Sequence, residues 1–134
     1  MFIAKRKINF YDCDPAGILF YGKIYELSHS VYEELIQSFG LKEDYWSNED
    51  YVVPIIHSEA IYHKPLIYNS FAVVELFVEN ISSSVFKLSY NCKNENGEIC
   101  VEVKTTHVFV DKKTWEKKRI KDDVREGLTK HLIE

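Results

Sequence analysis

Two carboxylates stand two residues apart, Asp12 and Asp14, in the run Phe10-Tyr11-Asp12-Cys13-Asp14-Pro15-Ala16-Gly17-Ile18-Leu19-Phe20-Tyr21. A carboxylate at such a spot can attack an acyl carbon or take a proton from water. Pro15 has a fixed φ and no N–H, and Gly17 tolerates positive φ, so the backbone is directed into a sharp turn beside Asp14. A helical pattern begins a few residues later. A turn feeding a helix N-terminus presents unpaired N–H groups and a partial positive charge. A carboxylate beside main-chain donors is what acyl transfer requires, since one group activates the nucleophile and the other holds the oxyanion. Asp14 is the expected reactive group, and Asp12 is expected to brace the turn by accepting backbone N–H bonds. Cys13 lies between them, where negative charge raises a thiol pKa, so a packing role is expected of it.

The elements that must position these groups follow from periodicity. Residues 2–11 read as a first strand entering the turn. Residues 22–39 place Ile24, Leu27, Val31, Leu35 and Phe39 at helical spacing, and Gly40 supplies the stop. Beyond it the period falls to two. A strand is predicted over 52–63, ended by Lys64-Pro65, and another over 70–79 with Ala72, Val74, Leu76 and Val78 on one face. Phe86, Leu88, Tyr90 and Cys92 repeat the pattern. Asn96-Gly97 signals a hairpin into a strand through Ile99, Val101 and Val103 that runs on to Val110. Val124, Leu128 and Leu132 predict a short helix over 121–133. The class is α+β, a curved antiparallel sheet wrapped around one long central helix, in a single domain of residues 1–134. An edge strand and a second sheet face left open predict self-association.

Composition narrows the partners. At 134 residues and net charge −4, the chain has a real core but lacks the basic footprint of a nucleic-acid binder. No apolar run approaches membrane-spanning length, and the N-terminus has no apolar signal core, so a cytoplasmic location is expected. Cys13, Cys92 and Cys100 form an odd set without metal-ligand spacing, and neither a disulfide framework nor a metal site is expected. Positive charge is local, in Lys5-Arg6-Lys7 and in Lys112-Lys113 and Lys117-Lys118-Arg119. Such runs usually make solvated faces, and their sharper reading is a seat for the phosphates of an anionic ligand. The nine Tyr residues point mainly to core filling, with an interface or an aromatic-lined pocket as the sharper reading.

The segment Asp12-Cys13-Asp14-Pro15-Ala16-Gly17-Ile18, followed by this helix and sheet, resembles the hotdog-fold acyl-CoA thioesterases, and within them the 4-hydroxybenzoyl-CoA thioesterase-like active-site segment. The resemblance spans nearly the whole chain. It implies that Asp14 is the catalytic carboxylate and that the Tyr21 backbone N–H, at the helix start, polarises the thioester carbonyl. It also implies a homodimer or homotetramer with the pocket between protomers, and no cofactor beyond the coenzyme A carried by the substrate. His29-Ser30-Val31-Tyr32-Glu33, Pro54-Ile55-Ile56-His57-Ser58 and Thr106-His107-Val108 are similar to thioesterases that hydrolyse 1,4-dihydroxy-2-naphthoyl-CoA. One departure matters: Ser82-Ser83-Ser84 stands where the benzoyl-type enzymes carry a basic cluster for the nucleotide phosphates. Lys112, Lys113 or the 117–119 run are the substitute cations.

Around Asp14 and Tyr21 the candidate substrate contacts are Gly17, Phe20, Gly22, His57 and Ser58. Gly17 and Gly22 would let backbone approach a ligand closely, while His57 and Ser58, adjacent on a strand, face opposite sides, so only one can point into a given pocket. His29 and Glu33 stand four apart on the helix and are expected to pair. Rival chemistry fits less well. Aspartate phosphotransfer from Asp12-x-Asp14 needs a parallel sheet, against the alternation after residue 70. A calcium loop begun at Asp12 would close on Lys23 rather than Glu. Dehydratase chemistry normally wants a His where Tyr21 stands. A short- or medium-chain aliphatic thioesterase and a non-catalytic acyl-binding module remain open alternatives on the same fold.

Overall fold

The computed structural model describes residues 1–133. Five antiparallel strands form one sheet in the order β1-β4-β5-β6-β3, with β1 Phe2–Lys7, β3 Ile55–Tyr62, β4 Phe71–Ile81, β5 Val85–Lys93 and β6 Ile99–Val108. A two-stranded ribbon pairs β2 Tyr51–Val52 with β7 Val110–Asp111. The 16-residue helix α1, Lys23–Ser38, packs on β1, β4 and β6, and the shorter α2, Asp122–Thr129, packs on β4. The architecture is thus α+β with an antiparallel sheet, as the periodicity predicted.

The core lies between α1 and one sheet face, and the register shows how period two fills it. Ala4, Val74, Cys92, Val101 and Tyr62 form one cross-strand row; Leu76, Tyr90, Val103 and Ala60 form the next. Val78, Leu88, Thr105 and Ser58 form a third, then Phe86, His107 and Ile55 a fourth. Ile24, Ser28, Val31, Tyr32, Leu35 and Ile36 cover these rows from α1. Coverage stops short of β3, which stays largely exposed along its length. The opposite sheet face carries ion pairs, Lys93–Glu75 at 3.0 Å and Lys104–Glu79 at 3.2 Å.

Several predicted boundaries move, each for a nonlocal reason. The first strand ends at Lys7 rather than residue 11, because Ile8 N–H donates to Ser70 O and the chain then enters a 3₁₀ turn, Phe10–Asp12. The strand expected over 52–63 divides: Tyr51–Val52 pairs with β7, and β3 begins at Ile55. The last strand stops at Val108, since residues 110–111 leave the sheet for that ribbon. The closing helix ends at Thr129 instead of 133. Leu132 bridges to Val78 in parallel fashion, with Val78 N–H donating to His131 O and Ile133 N–H to Val78 O. β1 has run out by Leu76, so the terminal segment takes the free edge of β4 there. Asn96-Gly97 does turn the β5–β6 hairpin, as the tip of a three-residue loop closed by Asn94 N–H to Glu98 O. α2 sits close to the end of α1: a Cβ on Gly127 would lie 2.5 Å from the Phe39 ring.

Candidate active site

Asp14 is held by a tight hairpin, residues 13–19. Asp14 N–H donates to Ile18 O at 3.0 Å, and Gly17 N–H to Asp14 O at 2.9 Å. Gly17 has φ +77°, and a Cβ there would press on the Tyr68 ring at 3.1 Å, so both conformation and space require glycine. Leu19 N–H to Leu66 O and Tyr68 N–H to Gly17 O pin the hairpin to the segment before β4. Asp12 braces the entry, its Oδ2 accepting from Asn9 N–H at 3.2 Å and from the Asn9 side chain at 3.4 Å. Burial, then the charges of Asp12 and Asp14, push the Cys13 thiol up, away from thiolate.

Asp14 Oδ1 accepts the Ala16 N–H at 2.9 Å, and Oδ2 has no intramolecular partner among the described residues. The carboxylate lines an open cavity of about 450 Å³ with Phe20, Tyr21, Tyr62, His63, Lys64 and Val101 in its wall. Tyr21 immediately precedes Gly22, the N-cap of α1, and its amide N–H has no intramolecular acceptor among the described residues. The Tyr21 carbonyl is engaged instead, accepting from the Tyr62 hydroxyl. The cavity therefore brings together a carboxylate with a free oxygen and a free amide at the positive end of a 16-residue helix.

The other expected contacts are distributed differently. Phe20 lines the cavity, whereas Gly17 is buried outside its wall, where its N–H closes the turn onto Asp14 O. Gly22 does not line it: its φ is −71°, in the helical region, and a Cβ there would meet only the Phe20 ring. His57 and Ser58 lie outside the Asp14 cavity. His57 is exposed beside Glu59 at 3.7 Å, whereas Ser58 opens onto a second, smaller cavity under α1. His29 does pair with Glu33, at 3.1 Å. Of the candidate phosphate cations, Lys112 donates to Asn48 O, Lys118 bonds Asp50, and the whole run lies by β7. That is past the far end of β6 from Val101, roughly 23 Å along the strand.

Tyr62, His63 and Lys64 were missed as wall residues. Alternation from Ser58 through Ala60 was the available signal for Tyr62; nothing local marked His63 or Lys64, which are held by Glu102 and Glu98 from across the sheet edge. His107 entered the sequence reading only within the Thr106-His107-Val108 likeness, with no role beyond structure. It is fully buried, stacked on Phe86 at 4.7 Å and 4.6 Å from the Tyr32 ring centroid, with Nε2 2.7 Å from Thr105 Oγ1. Burial, with a smaller push from His29, lowers its pKa to about 3. Below about pH 6.5 the unfolded chain gains a proton that the folded chain refuses, so stability is complete above that value and falls on acidification towards 3. The expected slope is up to about 1.4 kcal/mol per pH unit. Denaturant unfolding at pH 7 and pH 5 checks it: His107→Gln should flatten the difference, leaving a smaller residue from His131, which burial also lowers.

Residues 8–128 match the model of the Thioesterase-like superfamily, and the chain belongs to that family. Among its relatives, a 1,4-dihydroxy-2-naphthoyl-CoA hydrolase of Prochlorococcus marinus (strain NATL1A) is 32% identical over 120 residues, covering 84% of this chain and 79% of the relative. A hydrolase of the same name from Trichodesmium erythraeum is 23% identical over 95% of this chain and 94% of its own. In three dimensions, a 1,4-dihydroxy-2-naphthoyl-CoA thioesterase from Synechocystis superposes with a TM-score of 0.89 at 20% identity, over 96% of this chain and 95% of that one.

Proposed function

We propose that this protein is a hotdog-fold hydrolase of aromatic acyl-CoA thioesters, hydroxybenzoyl- or dihydroxynaphthoyl-like in the acyl group, releasing the free acid and CoA. The observation that carries the reading is that Asp14, with an unengaged carboxylate oxygen, and Tyr21, with an unengaged amide, line one cavity. The names of the relatives support the acyl class. On this reading the thioester carbonyl accepts the Tyr21 N–H, where the dipole of α1 stabilises the developing oxyanion. Asp14 either attacks the carbonyl carbon to form a mixed anhydride or takes a proton from a water that attacks it. In both routes the tetrahedral intermediate collapses by expelling the CoA thiolate, and in the first route water then hydrolyses the anhydride to the free acid and the Asp14 carboxylate. Gly17 and Phe20 shape the seat, and no cofactor other than the substrate's own coenzyme A takes part.

The finer fold belongs to the same reading: a sheet curled about α1, supported by the contacts of that helix with β1, β4 and β6. So does self-association. β3 is an edge strand with Ile55, Ile56 and Ile61 exposed, and a second copy laid along it would build a shared pocket to which His57 and Ser58 contribute. The three unpaired cysteines suit a reducing cytoplasm.

A panel of CoA thioesters with free-thiol detection tests the proposal. Benzoyl-, 4-hydroxybenzoyl- and 1,4-dihydroxy-2-naphthoyl-CoA should be cleaved with kcat/KM at least tenfold above butyryl- and hexanoyl-CoA. Preference for the aliphatic esters would overturn the acyl class, and tight binding without thiol release would overturn hydrolysis in favour of an acyl-binding module.

A further inference from the structure

The Asp14 cavity and a second, separate cavity lie at the two ends of the seam between α1 and β3. Tyr21 faces Tyr62 at one end of the seam, and Tyr25, Ser28 and His29 face Ser58 and Ile55 at the other, so helix and strand run in opposite directions. Between them lies the row of Ala60, a small side chain packed against the core. At the far end is a cavity of about 130 Å³ lined by Tyr25, Ser28, His29, Ile55, Ser58, Tyr90 and Thr105. An enclosed space of roughly 150 Å³ accepts one benzene ring, so this one is sized for a single six-membered ring. A bulge at Ile56 shapes it, bringing Ile55 and Ser58 onto the same helix-facing side although they are three residues apart.

Its polar groups are incompletely paired. Ser28 is 2% exposed, and its Oγ has no oxygen or nitrogen partner; the Cys92 thiol beside it is a weak one that leaves oxygen lone pairs free. Thr105 Oγ1 sits 2.7 Å from His107 Nε2, while His107 Nδ1 is buried without a partner. An orphaned N–H is costlier than an orphaned lone pair, which places the imidazole proton on Nε2. His107 then donates to Thr105, and the Thr105 proton is left pointing at the Tyr90 hydroxyl only at 3.5 Å, the limit of a hydrogen bond. Beside the hydroxyls of Tyr25, Ser58 and Tyr90, the cavity thus offers Thr105 O–H as a donor and Ser28 Oγ as an acceptor. A phenolic hydroxyl, which accepts and donates at once, satisfies both.

We propose that this cavity is a ring subsite that selects acyl groups bearing a hydroxyl on the aromatic ring, with Thr105 and Ser28 binding that hydroxyl and His107 as the positioning residue that turns the Thr105 proton towards it. The inference rests on the aromatic acyl-CoA reading and deepens it. Ser28 is seven residues along α1 from Tyr21, roughly 10 Å of axial rise. A carbonyl bonded at Tyr21 and a hydroxyl on the far side of its ring bonded at Ser28 span about that length.

The test compares 4-hydroxybenzoyl-CoA with benzoyl-CoA by kcat/KM, and 4-hydroxybenzoate with benzoate by equilibrium binding. The wild-type protein should favour the hydroxylated member of each pair. In Thr105→Val, close to isosteric, and in Ser28→Ala, both preferences should fall by tenfold or more through loss on the hydroxylated member. His107→Gln should weaken the preference in binding as well. Preferences unchanged in Thr105→Val and Ser28→Ala, both folded by circular dichroism, would overturn the subsite while leaving the thioesterase reading intact. If no aryl thioester is cleaved yet the two acids still separate in binding and the variants abolish the separation, the thioesterase reading fails and the subsite stands.

Discussion

Asp14→Asn should lower kcat for the best aromatic thioester by a thousandfold or more while leaving the melting temperature within a few degrees of wild type. Asparagine keeps the carbonyl oxygen that accepts the Ala16 N–H, so the hairpin of residues 13–19 retains its bonds. What disappears is the negative charge. A neutral amide neither attacks a thioester nor accepts a proton from water at neutral pH, so both routes proposed for Asp14 fail together. Asp14 is only half-buried and forms no ion pair among the described residues, which is why a small change in stability is expected. Asp14→Ala should be as inactive, with a somewhat looser turn. Steady-state thiol release on the purified variants, with thermal unfolding as the control, reads both quantities. Near wild-type turnover in either variant would remove Asp14 from the mechanism.

The second large effect concerns an amide, so a side-chain truncation does not reach it. Tyr21→Pro deletes the one N–H that the proposed oxyanion site depends on, and that N–H serves no structural bond among the described residues. Loss of a single oxyanion donor costs about 3 kcal/mol, and kcat should fall by roughly a hundredfold or more. Tyr21→Phe is the matched control. The Tyr21 side chain is 70% exposed, and the bond its residue makes to Tyr62 uses the backbone carbonyl. The phenylalanine variant should therefore stay within a few-fold of wild type. Equal losses in the two would assign the effect to the ring, and equal retention would dismiss the amide as the donor.

Local rules carried much of this molecule into view. Pro15 and Gly17 restrict φ within their own residues, so the turn that carries Asp14 was legible without any partner. Helical spacing located α1 to within a residue at each end, and Gly40, at φ +62°, is the stop. Period two found the strands and the inward set from Ala72 to Val78, because one buried face imposes it. Asp12 as a brace and the His29–Glu33 pair were legible for the same reason: their partners are three or four residues away.

The sequence by itself determined the turn, the helix and the alternating faces, since each rests on dihedral limits and periods within a few residues. Only the tertiary structure decided which face of β3 meets α1, that a bulge at Ile56 sets Ile55 beside Ser58, and that Leu132 leaves its helix for the edge of β4. It also decided that Thr105, His107 and Ser28 gather around one unfilled space. Such features depend on register and on which backbone edge is left vacant, and those are settled by pairings between segments some thirty to eighty residues apart, for which no local pattern exists.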